Sequence, residues 1–124
     1  MCLYKILVKN PNIDASRIYL SGASAETGLL NQLLVEKPDL WRGVILLSPS
    51  VLPDLSEVHM SSLFIVDGSN DGDALARLTK YQDQAAAEGI RVKLMFLNGA
   101  GHITRSTTGY REQLEQLAEF LSDN

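Results

Sequence analysis

The sequence predicts an α/β fold in three layers, with about four parallel strands covered by helices on both faces. Short apolar runs of strand length alternate with segments whose apolar residues recur at helical spacing. The runs at 43–48 and 63–67 are apolar almost throughout, which is typical of central parallel strands buried on both sides. No repeat or linker interrupts the alternation, so residues 1–124 are expected to form a single domain.

Each predicted element has its own local signal. Leucines at helical spacing predict the second helix, which Pro38 ends, and Gly89 fits the position just past the end of the third. The leucine stripes are expected to lie in the core, and they comprise Leu29, Leu30, Leu33 and Leu34, then Leu114, Leu117 and Leu121. In chain order the elements are a short helix at 3–9, a strand at 17–21, a helix at 25–36, strands at 43–48 and 63–67, a helix at 74–88, a strand at 91–97 and a helix at 110–121.

Composition excludes several classes of function. The 11 basic and 15 acidic residues give a net charge of −4, and no basic run suits nucleic acid or an anionic membrane. No apolar stretch is long enough to span a bilayer. The first residues show no secretory signal, which favours a cytoplasmic location. A single cysteine leaves no partner for an internal disulfide.

Polar turns follow three of the predicted strands. Ser24 lies in the turn of RIYLSGASAETGLLNQLL, the GSNDGD turn follows the third strand, and the NGAGH loop follows the fourth. Because the carboxyl ends of parallel strands meet at one edge of a sheet, these turns are expected to converge there. A serine at that edge becomes a nucleophile only if a base, usually a histidine oriented by a carboxylate, lies beside it.

The chain offers a small set of candidates for these roles. His102 in the glycine-rich loop is the better base, and His59, in a loop bounded by proline, is expected to be an ordinary surface residue. For the acid, Asp71 and Asp73 are nearly equal candidates, although Asp73 also suits the N-cap of the next helix. Asp67 ends the third strand. No cluster has metal-ligand spacing and no G-x-G-x-x-G follows a strand, so neither a metal nor a cofactor is expected.

Three segments in this order resemble the C-terminal half of the α/β-hydrolases of the prolyl-oligopeptidase-like esterase and peptidase kind. They are NIDASRIYLSGASAETG, LFIVDGSNDGD and RVKLMFLNGAGH. The resemblance implies that Ser24 is the nucleophile, Asp71 the acid and His102 the base, with the backbone N–H of Ala25 in the oxyanion hole. It further implies a serine hydrolase that acts on a small-molecule ester or a peptide-like acyl bond.

Two departures from the family pattern shape this expectation. Glu26 stands where the family has a small residue, two places after the nucleophile. The family's earlier strands, and the loop that supplies the second oxyanion donor, have no counterpart in the sequence. We therefore expect a truncated α/β-hydrolase fold, a piece of a longer enzyme that is weak or inactive alone. The alternative is a catalytically silent binding or assembly module of the same fold.

The truncation also predicts association. In the family, the first strand pairs with a neighbouring strand on each side. Here it becomes an edge strand, and Arg17 is its only charged residue. An unprotected edge presents unpaired N–H and C=O groups to other chains. A homodimer, or pairing with the missing N-terminal half, is expected.

Overall fold

The computed structural model describes residues 2–104, 107 and 109–123. The strands are β1 (Tyr19–Ala23), β2 (Gly43–Leu47), β3 (Ser62–Gly68) and β4 (Arg91–Leu97). The helices are α1 (Cys2–Leu7), α2 (Thr27–Glu36), α3 (Ala74–Ala87) and α4 (Tyr110–Ser122), and a turn of 3-10 helix (Ser24–Glu26) precedes α2. None of the described helices combines the length and apolar character needed to cross a membrane.

The four strands form one parallel sheet in the order β1-β2-β3-β4. Ala23 pairs with Leu47, Leu47 with Val66, and Val66 with Met95, so the carboxyl ends of the strands lie together. Every residue of β3 is buried, as expected of a central parallel strand. The predicted α/β fold class is confirmed, and the three polar turns do share one edge.

Two apolar clusters cover the two faces of the sheet. Alternate strand residues point to opposite faces, and Leu46 and Ile65 pack with Leu34 and Leu78 of α2 and α3. The second cluster includes Ile45, Phe64, Val66 and, from α4, Phe120. The Phe64 and Phe120 rings lie with their centroids 5.6 Å apart. This gives the predicted three layers.

The prediction that both leucine stripes lie in the core is wrong at two positions. Leu29 is 63% exposed and Leu114 is 47% exposed. Successive residues of a helix differ by about 100° in direction, so adjacent side chains cannot share a narrow buried face. In α2 the buried positions are Thr27, Leu30 and Leu34. Leu29 is adjacent to this stripe and turns toward solvent.

The first strand is also displaced from its predicted position. It spans Tyr19–Ala23, so Arg17 lies outside it, and the Arg17 guanidinium donates to the carbonyl of Leu121 at 2.9 Å. In the described sheet β1 pairs only with β2. It is therefore an edge strand that contains no charged residue.

Candidate active site

The turn between β1 and α2 holds Ser24 in a strained conformation. Its φ is +53°, in the left-handed region that residues other than glycine rarely adopt. The carbonyl of Ser24 accepts hydrogen bonds from the Thr27 hydroxyl at 2.7 Å and from the Ser50 hydroxyl at 2.9 Å. The Thr27 hydroxyl in turn accepts the N–H of Val51 at 3.0 Å. The loop after β2 therefore fixes this turn, and such strain concentrates at functional sites.

The departure at position 26 fits the turn without crowding it. The Glu26 side chain is exposed, and its Oε2 accepts the backbone N–H of Ala23 at 3.4 Å. A negative charge in the first turn of a helix is favourable because it faces unpaired amides. At Gly22, by contrast, an added Cβ would lie 3.0 Å from the Leu30 Cδ1, so the Leu30 side chain would have to shift to admit one.

Asp71 and His102 are in direct contact. The Nδ1 of His102 lies 3.0 Å from the Oδ2 of Asp71, with the imidazole half-exposed. The neighbouring Asp67 carboxyl and then His102 lower the pKa of Asp71, so Asp71 is ionised at neutral pH. A proton on Nδ1 that is held by Asp71 leaves Nε2 free to accept another. The pair therefore has the arrangement of a general base with its orienting carboxylate.

The other candidates for base and acid lie elsewhere. Asp73 occupies the N-cap position just before α3, but its side chain makes no capping hydrogen bond and instead pairs with Arg77 at 3.5 Å. His59 pairs with Asp39 at 3.0 Å, and both side chains are well exposed. His59 precedes β3 and Asp39 precedes β2. Both therefore lie near the amino ends of the strands, whereas Ser24 lies at the carboxyl ends.

The loop that carries His102 is held against the turn that carries Asp71. The N–H of Gly99 donates to the Ser69 hydroxyl at 2.7 Å, and the N–H of Asn70 donates to the Ala100 carbonyl at 2.8 Å. At Gly68 an added Cβ would lie 2.0 Å from the carbonyl oxygen of Gly101. Only glycine allows the two backbones to approach this closely.

A buried pair that the motifs do not reveal lies behind the site. The Ser48 hydroxyl donates to Oδ1 of Asp67 at 2.9 Å and accepts the N–H of Ile103 at 2.9 Å. Ser48 is also the second described non-glycine residue with positive φ, at +43°. The only signal in the sequence is that Ser48 and Asp67 are polar residues at the ends of two apolar strands.

The structure does not complete a triad. Among the described residues, no hydrogen bond joins the Ser24 hydroxyl to His102. Ala25 is exposed in the first turn of the 3-10 helix, where backbone N–H groups lack helical partners. Within the described ranges, no three or more His, Cys, Asp or Glu side chains are grouped to hold a metal ion.

Comparison with known proteins gives a structural relationship rather than a sequence family. No protein-family model matches the chain, and no curated protein matches it either. Similar solved structures include a dienelactone hydrolase-like promiscuous phosphotriesterase from metagenomic libraries, at 14% identity and a TM-score of 0.73 over 97% of this chain. The esterase 2 of Thermogutta terrifontis phosphorylated by paraoxon is 18% identical, with a TM-score of 0.68 over 90% of this chain. A protein assigned as a dipeptidyl aminopeptidase IV from Bacteroides ovatus is 11% identical, with a TM-score of 0.74 over 99% of this chain.

These likenesses define the fold class. The chain has an α/β-hydrolase fold, as the resemblance in the sequence implies, and the solved structures that share this fold include esterase and peptidase types. It covers only part of that fold, because it spans 57% of the phosphotriesterase, 55% of the esterase and 21% of the peptidase-type chain.

Proposed function

We propose that this chain carries the catalytic residues of a serine hydrolase that cleaves an ester or a peptide-like acyl bond. The observation that carries the proposal is that the strained Ser24 turn and the Asp71–His102 pair lie at the same edge of the sheet, where the strands have their carboxyl ends. A serine on a strained strand-to-helix turn and a histidine oriented by a carboxylate are the parts that acyl transfer requires. Hydrolase neighbours of the same fold support this class of reaction.

The proposed reaction proceeds in two halves. Nε2 of His102 takes the proton of the Ser24 hydroxyl while Oγ attacks the acyl carbon, and Asp71 stabilises the imidazolium that forms. The imidazolium then gives its proton to the leaving alcohol or amine as the bond to carbon breaks. A water molecule, deprotonated by the same nitrogen, then attacks the acyl carbon, and the imidazolium returns its proton to Oγ of Ser24 as the acid leaves. Hydrogen bonds of this kind often tighten only when substrate binds, so the free Ser24 hydroxyl is compatible with the proposal.

One oxyanion donor, the N–H of Ala25, is assigned in this proposal. Removal of one donor from an oxyanion hole typically slows the chemical step by about 10²–10³-fold. We therefore expect slow turnover from this chain. Acylation of Ser24 is a single event for each chain, so it remains measurable where turnover is poor.

The test is the release of p-nitrophenolate from p-nitrophenyl acetate by the purified chain. The proposal predicts an initial release of up to one equivalent per chain, followed by slower turnover, and its loss in Ser24→Ala. A matched control is Ser56→Ala, which changes an exposed serine in another loop. Release that Ser24→Ala leaves unchanged would show that the reaction does not use this serine.

The competing proposal is a catalytically silent module of the same fold that serves binding or assembly. It is favoured by the absence, in the described part of the chain, of a hydrogen bond between Ser24 and His102. Such a module would show no Ser24-dependent release in the same assay. The two proposals therefore predict opposite results.

We also propose that the chain associates with a second copy through β1. Leu7 and Ile13 are exposed, and with Ile18 and Tyr19 they line an open groove beside this strand. The other edge strand, β4, carries exposed Arg91 and Lys93, which discourage pairing. In a two-fold dimer, the unpaired backbone groups of β1 can form hydrogen bonds with those of β1 in the second copy.

A further inference from the structure

A fully buried carboxyl group lies directly behind the Asp71–His102 pair. Asp67 is 0% exposed, and its Oδ1 accepts hydrogen bonds from the Ser48 hydroxyl at 2.9 Å and the Gly68 N–H at 2.7 Å. Its Oδ2 is buried as well and has no donor among the described residues. A buried acceptor without a donor costs roughly 1–3 kcal/mol, and more when it is charged. This oxygen is therefore suited to carry a proton itself.

Asp71 is the group that can accept that proton in a hydrogen bond. Each carboxyl group shifts the pKa of the other, and two ionised carboxylates have no donor to share. Burial, and then the contact with Asp71, raises the pKa of Asp67 to about 6, while the same contact lowers the pKa of Asp71. Neighbouring carboxyls whose pKa values are driven apart in this way hold one proton between them.

Two chains of hydrogen bonds lie beside the candidate base, one from the His102 imidazole to Asp71 and one from Asp67 through Ser48 to the N–H of Ile103, the residue after His102. A proton shared between Asp67 and Asp71 would close these two chains into a ring. That ring would tie together the ends of β2, β3 and the loop after β4. Ser48 keeps its strained backbone, with φ at +43°, inside this ring.

We propose that Asp67 and Ser48 are positioning residues for the candidate base, with Asp67 donating a proton to Asp71 and Ser48 linking Asp67 to the His102 loop. The inference rests on the proposed function insofar as it treats His102 as the base. The charged groups that act on Asp71 besides Asp67 are His102 and Arg77 of α3. Arg77 also pairs with the exposed Asp73.

The arrangement has a consequence for the titration of the two carboxyl groups. When Asp67 loses its proton, it can no longer donate to Asp71, and a second negative charge lies behind Asp71. In Asp67→Asn the side chain still accepts from Ser48 and still donates to Asp71, but it remains neutral at every pH.

Carboxyl-carbon NMR tests the interaction directly, because it follows Asp67 and Asp71 separately. Asp67→Asn keeps a donor to Asp71, so the midpoint of Asp71 should stay below its ordinary 3.8, whereas Asp67→Leu, which has no donor, should raise that midpoint. An Asp71 midpoint that is the same in both variants would overturn the role of Asp67.

Ser48→Ala tests the other half of the ring. This change removes both the donor to Asp67 and the acceptor of the Ile103 N–H, so exchange of that amide should accelerate about tenfold or more, while Leu78 in α3 remains protected. Equal exchange in both proteins would overturn the role of Ser48. If Asp67→Asn does not fold, carboxyl-carbon NMR of the wild-type chain decides instead, because titration of Asp67 at its ordinary 3.8 would contradict the proposal and a midpoint near 6 would support it.

These readouts do not depend on a reactive Ser24, because they can be recorded in a Ser24→Ala background. An Asp71 midpoint that differs between the two Asp67 variants, without any Ser24 acylation, would retain the positioning roles and reject the hydrolase. Ser24 acylation with the same Asp71 midpoint in both variants would retain the hydrolase and reject the positioning role of Asp67.

Discussion

The Nδ1 of His102 lies 3.0 Å from the Oδ2 of Asp71, across 31 residues of sequence. The chain contains a second pair with the same 3.0 Å separation, His59 with Asp39. The difference between them is location, because only the first pair lies at the edge of the sheet that also carries Ser24. This gives every experiment on His102 a matched histidine control in the same molecule.

The carboxylate that orients His102 can be identified by two amide substitutions. Asp71→Asn should reduce the rate of Ser24 acylation by about 10³–10⁴-fold, because it favours the wrong tautomer of the ring. Asp73→Asn should leave that rate within about twofold, because the exposed Asp73 contacts Arg77 rather than His102. Stopped-flow measurement of p-nitrophenolate release compares them, and a larger loss in Asp73→Asn would contradict the assignment of the acid.

Stability should depend on pH through Asp67. This carboxyl has a higher pKa in the folded chain, about 6, than the ordinary 3.8 expected when unfolded. Its contribution is therefore fully present below the unfolded value and is lost as the pH rises through about 6. Relative to wild type, Asp67→Asn should gain about 1–3 kcal/mol in free energy of unfolding between about pH 4 and about pH 8.

Urea denaturation at the two pH values measures this change. Asp71→Asn should not show this change, because the lowered pKa of Asp71 gives stability that is present above its unfolded value of 3.8 and is lost only at lower pH than either measurement. If the free energies of unfolding of wild type and Asp67→Asn differ by the same amount at both pH values, the shared proton is contradicted.

The close approach of two backbones at Gly68 makes it the most sensitive glycine of the site. Gly68→Ala would bring a Cβ to 2.0 Å from the Gly101 carbonyl oxygen and 2.1 Å from that of Ala100. The His102 loop must then move, at a cost of about 3 kcal/mol or more. Gly28→Ala is the control, because no atom lies within 4 Å of its added Cβ, and in a helix it should gain about 0.5–1 kcal/mol. Thermal unfolding of both proteins checks the contrast.

Much of this architecture can be predicted from the sequence, for identifiable reasons. The apolar run at 63–67 indicates a strand, and the spacing of Leu30 and Leu34 indicates a helix. Parallel strands place the turns that follow them at the same end of the sheet. The residues alone left Asp71 and Asp73 nearly equal, because two residues in one turn differ only in the direction of their side chains, and only the family resemblance favoured Asp71. The Ser48–Asp67 hydrogen bond was equally hidden, since it joins two strands that are neighbours only in the folded sheet.

Association through β1 is a separate prediction. The wild-type chain should sediment as a dimer at micromolar concentration, and Ser21→Lys, which places a charge on the exposed edge, should shift it toward monomer. Gln32→Lys is the control, because it adds the same charge to an exposed position of α2. A monodisperse, folded wild-type monomer would contradict dimerisation through this strand.

The central claim, that Ser24 is a nucleophile activated by His102, is tested most directly by labelling the chain with a fluorophosphonate and mapping the modified residue by mass spectrometry. An organophosphate is appropriate because the neighbouring esterase 2 has been captured phosphorylated by paraoxon. We predict a single adduct on Ser24 in wild type and His59→Gln, with labelling at least about 10²-fold slower in His102→Gln. Absence of a Ser24 adduct at neutral pH, or equal labelling of the two histidine variants, would contradict the account.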